Sequence, residues 1–286
     1  AQDIANLSFK KKVTISSNDE VGELGKSINQ MSSQLETAIS ELQRANVKLA
    51  ADIELKTKID SMRKEFIANA SHELKTPISL ILGYSEALKL PGLSKDTTDD
   101  YLNIIMDESN KMNKLVMGLL KISQLESGFT EPQISDFSIK DLAEETSRLF
   151  SILFEEKGIK QEVEVSDTEV RSDYDQLQTV LSNYLANAIH HVDKNNRIRI
   201  YSETAENGAI RIVVYNSGSQ ISEADQERVW ESFYKVDKAR TRSYGGQGLG
   251  LSISRTTLMN LGHGYGVRNV SDGVEFYFEI SVNEQH

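Results

Sequence analysis

From Met31 to Phe66 the chain contains neither proline nor glycine, and along it Leu35, Ile39, Leu42, Leu49 and Ile53 keep an apolar seam with polar residues outside it. Apolar residues at alternating spacings of three and four share a face only when the backbone is helical, so this stretch predicts one long helix with a coiled-coil seam. The seam begins upstream, where Leu24, Ile28, Met31 and Leu35 follow the capping string Asn18-Asp19-Glu20-Val21-Gly22-Glu23. Beyond Ile53 the stripe runs through Leu55, Ile59, Met62 and Phe66, a phase shift of about two positions that predicts a stutter. Asn46 falls on the seam. Buried against a second copy it would fix a parallel register, and on a frayed stretch it would be solvated; the sequence leaves both open.

The helix continues into Phe66-Ile67-Ala68-Asn69-Ala70-Ser71-His72-Glu73-Leu74-Lys75-Thr76-Pro77 and should end near Lys89, before Leu90-Pro91-Gly92. Here an imidazole stands beside a carboxylate. Thr76 lies one turn from His72 on the same face, and Glu73 is close enough to accept from Nδ1, which leaves the Nε2 lone pair as a nucleophile. Zinc binding of the HExxH kind is excluded, because position 76 is threonine. Pro77 has no N–H for the Glu73 carbonyl, so a kink is expected there. A second helix follows from Thr97 to Glu126, with Tyr101, Ile105, Met112, Leu115, Leu119 and Ile122 at helical spacing. Two helices cannot hide both stripes, and the simplest burial is a homodimer that pairs two hairpins into a four-helix bundle with His72 on its outer surface.

Gly128 to Ser135, with Pro132, is the best domain boundary. After it the pattern predicts a strand at 136–139, a helix at 140–157, a strand at 159–165, a helix at 173–191, strands at 197–202 and 209–215, and a last strand at 273–282. Helices mixed with mostly antiparallel strands imply an α/β sandwich. A net charge of −11 argues against a nucleic-acid surface, and the absence of cysteine excludes disulfides and thiolate chemistry. The apolar run at residues 78–82 is far short of the ~20 residues a membrane span needs. The chain starts Ala-Gln-Asp, which is expected of a fragment or a processed form.

Two further clusters point to a nucleotide. Asn183 and Asn187 sit four apart on one helix face, and amide oxygens are hard ligands that suit Mg²⁺. Gly245-Gly246-Gln247-Gly248-Leu249-Gly250-Leu251 precedes a helical run from Ser252 to Leu261, a loop whose amides can close on polyphosphate at a helix N-terminus. Together with Trp230-Glu231-Ser232-Phe233-Tyr234-Lys235, these strings resemble, in order, the H, N, F and G2 boxes of sensor histidine kinases. A fifth box departs from that family's pattern: the usual DxGxG reads here Asn216-Ser217-Gly218-Ser219-Gln220. The string from Asn18 to Leu35 resembles the second half of a HAMP relay module.

The resemblance implies an α + α/β protein: a helical hairpin forming a dimeric four-helix bundle, then an α/β sandwich ATP-binding domain of the GHKL (Bergerat) type. It divides the chain into a HAMP-like piece at 1–35, a signalling helix at 36–61, a phosphotransfer domain at 62–128, a linker at 129–135 and a catalytic domain at 136–286. It implies ATP-dependent phosphorylation of His72, steadied by Glu73, with transfer to an aspartate of a response regulator and a water-positioning, phosphatase role for Thr76. ATP and Mg²⁺ would be held by Asn183, Asn187, His190, Asn216, Gly218, Lys235, Gly246, Gly248, Leu249 and Gly250, with Asn187 on the metal and residues 236–244 as lid. The partners implied are a second copy and a response regulator, not nucleic acid, and the membrane only through a segment upstream. The alternatives are an ATPase of the same fold without phosphohistidine, and a scaffold or phosphatase that does not phosphorylate itself.

Overall fold

A computed structural model describes residue 14 and residues 19–127, 131–193, 195–236 and 248–281. Gly246, nearly all of the expected lid, residues 128–130 and the beginning of the chain lie outside the described residues. The chain divides into two compact units, 1–67 and 68–286.

Helix α1 spans Glu20–Ala87, with Pro77 inside it. The Asp19 carboxylate accepts from the N–H groups of Val21 and Gly22, satisfying donors that a helix start leaves free. In the first unit the expected seam is present, and Leu24, Met31, Leu35, Leu42, Leu49 and Ile53 are exposed along it. No helix among the described residues is long and apolar enough to cross a membrane.

In the second unit the end of α1 and helix α2, Lys95–Ser127, form the hairpin. Ser94 caps α2 by accepting from the Thr97 N–H, and Tyr84 meets Tyr101 across the hairpin at 5.1 Å between ring centroids. The elements that follow are β1 (Ile134–Ser138), α3 (Ile139–Arg148), α4 (Ser151–Lys157), β2 (Lys160–Glu164), β3 (Glu169–Asp173), α5 (Tyr174–His191), β4 (Arg197–Thr204) and β5 (Ile210–Ser217). After them come α6 (Glu223–Gln226), a 3₁₀ turn at Arg228–Trp230, α7 (Gly250–Asn260), β6 (Gly264–Val270) and β7 (Gly273–Ile280).

The main sheet has the order β2-β4-β5-β7-β6, antiparallel except for β2 beside β4, and β1 pairs with β3 in a separate two-stranded ribbon. Alternation sorts its faces. Ile198 and Ile200 of β4, Ile212 and Val214 of β5, and Val274, Phe276, Phe278 and Ile280 of β7 are buried in one core with Ile139, Leu142, Leu177, Leu181, Leu185 and Leu258 from the helices. The intervening residues carry charge: Arg211 bridges Glu203 (2.8 Å) and Glu279 (2.6 Å), and Arg268 bridges Glu203 (3.0 Å) and Glu275 (2.5 Å). A sheet covered on one side only requires this division. Asn216, two residues beyond Val214, therefore shares the helix-covered face.

Three expectations are corrected. The helix expected at 140–157 is two helices, because Leu149 and Phe150 donate three residues back and tighten the turn while Phe150 packs on the core. Strands β3 and β6 fall where none was expected. Of β3's five residues only Val170 is apolar, and β6 contains two glycines and an asparagine, so neither shows a strand-like alternation. Pairing with β1 and β7 extends them instead.

His263, in the turn between α7 and β6, meets Ser172 at 2.8 Å through Nε2, and burial holds its imidazole below the ordinary range. The unfolded chain takes up this proton first as pH falls, so folding loses stability once pH drops below about 6.5. Denaturant midpoints at pH 7.5 and 5.5 should diverge in the wild type and diverge less in His263→Gln.

Candidate active site

Helix α5 is started by Asp173, whose Oδ1 accepts from the Gln176 N–H at 3.0 Å and whose Oδ2 accepts from the Gln133 N–H at 2.8 Å. Leu177, Val180, Leu181, Tyr184, Leu185 and Ala188 are buried along one stripe, which turns Asn183 and Asn187 toward its edge. Asn183 ties two elements together. Its Nδ2 donates to the Gly250 carbonyl at 3.0 Å and to Ser254 Oγ at 3.1 Å, both in the first turns of α7. Asn187 is half-buried and makes no side-chain hydrogen bond to another described residue. A lone amide oxygen of this kind suits a Mg²⁺ that arrives with phosphates and keeps its waters. Among the described residues no three carboxylate, histidine or cysteine groups cluster as an all-protein cage. His190 is exposed, with Nδ1 against the Ala186 carbonyl at 2.6 Å, so Nε2 is the nitrogen left for a ligand.

At the end of β5, Asn216 is only 2% exposed, and its Nδ2 donates to the Ser217 carbonyl at 3.2 Å. Its Oδ1 is the atom left to accept. The Ser217 hydroxyl donates to Asp193 at 2.7 Å, which holds that carboxyl below its usual range. The Gly218 N–H donates to the Asp272 carbonyl at 3.1 Å. Gln220, the departure from the expected glycine, has a structural use: its Nε2 donates to the Val270 carbonyl at 2.6 Å. Asn269 then brackets Ile221, accepting from its N–H at 2.9 Å and donating to its carbonyl at 2.7 Å. The loop after β5 is thus fastened to the end of β6.

Trp230 is core, edge-on to Tyr184, Tyr265 and Phe276. Phe233 has φ 67°, unusual for a residue with a Cβ, and its N–H donates to the Gly248 carbonyl at 2.8 Å. Gly248 itself has φ 70°, and a Cβ there would lie 2.9 Å from the Phe233 backbone. The two chain segments are therefore pressed together where α7 begins, with Leu249 and Gly250 presenting the helix N-terminus.

The hairpin lies against this half of the molecule. Leu249 packs on Gly118 of α2, where an added Cβ would come within 3.0 Å of Leu249 Cδ1. Asn260 Nδ2 donates to the Leu125 carbonyl at 2.9 Å, and Lys121 Nζ to Thr179 Oγ1 at 3.4 Å. Lys235 Nζ reaches Glu73 Oε2 at 3.3 Å. The expected bond from His72 Nδ1 to Glu73 is not formed. His72 is exposed, the carboxylate beside it is paired with Lys235, and Thr76 Oγ1 donates back to the His72 carbonyl at 3.5 Å. Sequence reasoning passed over Gly118, Lys121 and Asn260. The signal for the first was available, since a glycine inside a helix costs about 1 kcal/mol against alanine and usually has a packing reason.

Three stretches of the chain match known protein families. Residues 172–284 match the histidine kinase-, DNA gyrase B- and HSP90-like ATPase family, residues 62–128 the His Kinase A (phospho-acceptor) domain, and residues 1–37 the HAMP domain. The sensor-like histidine kinase SenX3 of Mycobacterium tuberculosis is 30% identical over 204 residues, 71% of this chain and 50% of the relative. The sensor histidine kinase WalK of Bacillus subtilis is 31% identical over 214 residues, 71% of this chain and 34% of its own. The chain therefore spans about half the length, or less, of these curated relatives. Among solved structures, histidine kinase ThkA in complex with the response regulator TrrA superposes with a TM-score of 0.63 at 29% identity, covering 76% of this chain and 60% of that one. AdeS of Acinetobacter baumannii, at 21% identity and TM-score 0.59, shares the fold.

Gly248→Ala should destabilise the protein by about 1–3 kcal/mol, from the positive φ and the approach to Phe233. Chemical denaturation followed through the single tryptophan, Trp230, measures it.

Proposed function

Because this chain belongs to the sensor histidine kinases of two-component systems, we propose that it phosphorylates His72 with ATP and hands the phosphoryl group to an aspartate of a response regulator. The observation that supports this most is the seating of the ATPase half on the hairpin, with Leu249 on Gly118 and Lys235 on the carboxylate beside an exposed His72. Such proximity turns phosphoryl transfer into a matter of positioning and charge.

In this reading Nε2 of His72 attacks the γ-phosphorus of ATP in line. The bond from phosphorus to the β–γ bridging oxygen breaks, and ADP leaves with that electron pair. The proton on Nδ1 stays on the ring, where Glu73 steadies the imidazolium. Asn216 Oδ1 accepts from the adenine amino group, as a neutral and weaker acceptor than a carboxylate. Gly246, Gly248, Leu249 and Gly250 bring backbone amides to the phosphates, and His190 and Lys235 add side-chain donors. Asn183 acts by holding the start of α7. Asn187 would ligate Mg²⁺, which when bound offsets charge on the phosphate oxygens.

The remaining assignments extend the same reading. Exposed Leu102, Met106, Val116 and Leu120 on α2, with Ile78 and Leu82 on α1, suit burial against a second copy in a four-helix bundle. The ThkA structure holds its regulator TrrA, which supports an equivalent partner here. Thr76 serves dephosphorylation of that partner. The HAMP match supports anchoring of the complete protein in a membrane through a segment upstream, and the five-part division of the chain given above belongs to the same reading.

Incubation with Mg²⁺ and γ-labelled ATP should give an acid-labile, alkali-stable label that is absent in His72→Gln. Asn187→Ala should lower its rate by about 10²-fold, on the scale of losing one well-placed charge-stabilising group. Free phosphate released without protein label would favour an ATPase of the same fold.

A further inference from the structure

Lys235 pairs with the carboxylate next to the acceptor histidine. Its ammonium reaches Glu73 Oε2 at 3.3 Å, with the lysine side chain 20% and the glutamate 37% exposed. It is also tied to the phosphate side of the site. Lys235 follows Phe233 by two residues, and Phe233 donates to the Gly248 carbonyl beside the N-terminus of α7. A helix N-terminus and an ammonium held near it make a natural phosphate seat. A phosphate seated at α7 would compete with the carboxylate on the hairpin for the charge of this one ammonium. Glu73, for its part, has Oε2 turned to Lys235 and makes no hydrogen bond to His72 Nδ1 in this arrangement.

Resting on the kinase reading above, we propose that Lys235 is a positioning residue for which Glu73 and the nucleotide's phosphate compete. Phosphate draws Lys235 from Glu73, and the released carboxylate turns to His72 Nδ1. Loading of the ATPase half thereby readies the acceptor histidine on the hairpin. The carboxylate that serves transfer also acts against nucleotide binding, a coupling that runs equally in both directions.

The test is a double-mutant cycle read by equilibrium binding of a non-hydrolysable ATP analogue with Mg²⁺ to the whole chain. Removing the competitor in Glu73→Gln should tighten binding by up to about fivefold, the range for a partly exposed ion pair, and added salt should shrink the gain. Lys235→Gln should weaken binding, and Glu73→Gln placed on it should add nothing. Both substitutions keep side-chain volume and lie on partly exposed positions, so folding is preserved and is checked by circular dichroism. Unchanged or weaker binding in Glu73→Gln overturns the proposal, as does an equal gain with Lys235 already replaced. If the wild type labels His72 but shows no such cycle, only this inference falls. If no variant binds the analogue at all, the kinase reading falls with it.

Discussion

The functional geometry depends on Asn183. Its side-chain amide joins the middle of α5 to the first turns of α7 through the Gly250 carbonyl and Ser254 Oγ. The helix that carries Asn187 and the helix that begins at Gly250 already share one core through Leu181, Leu185 and Leu258, and this tie adds a polar link at its edge. Behind the tie lies a core in which Leu181, Tyr184 and Leu185 are completely buried. A partly buried amide with both donors satisfied is a rigid device, since breaking either bond leaves an unpaired polar group at a cost of about 1–3 kcal/mol. The same logic governs the opposite wall. Asn216 is aimed by the Ser217 carbonyl, and its loop is fastened by Gln220 and Asn269.

Three of the contacts between that half and the hairpin differ in character. Leu249 fills the notch at Gly118, Asn260 bonds the Leu125 carbonyl, and Lys235 pairs with Glu73. The first two are short-range and insensitive to charge. The third is an ion pair in reach of water, the kind of contact that phosphate can displace. Apolar seating and ion pairing are thus divided among different residues.

Much of this was written in the sequence. The apolar stripes of α1 and α2 gave helices close to their observed limits, and the helix expected at 173–191 placed Asn183 and Asn187 on one face. The alternation at 159–165, 197–202 and 209–215 marked β2, β4 and β5. What stayed hidden depends on contacts made at a distance. β3 and β6 are extended by their partners and show no pattern of their own. The break at Leu149 is set by the core that Phe150 packs against. The partner of Glu73 lies 162 residues away in the chain, beyond the reach of any local spacing. Gln220 looked like a defect in a glycine pattern, and only the Val270 carbonyl explains it.

The most direct test is a crystal structure of the chain with Mg²⁺ and a non-hydrolysable ATP analogue. The account predicts the adenine amino group on Asn216 Oδ1, the metal on Asn187, the terminal phosphate against the N-terminus of α7, and α7 still tied to Asn183. A nucleotide bound elsewhere, or bound here with its base turned away from Asn216 and no metal at Asn187, would contradict it.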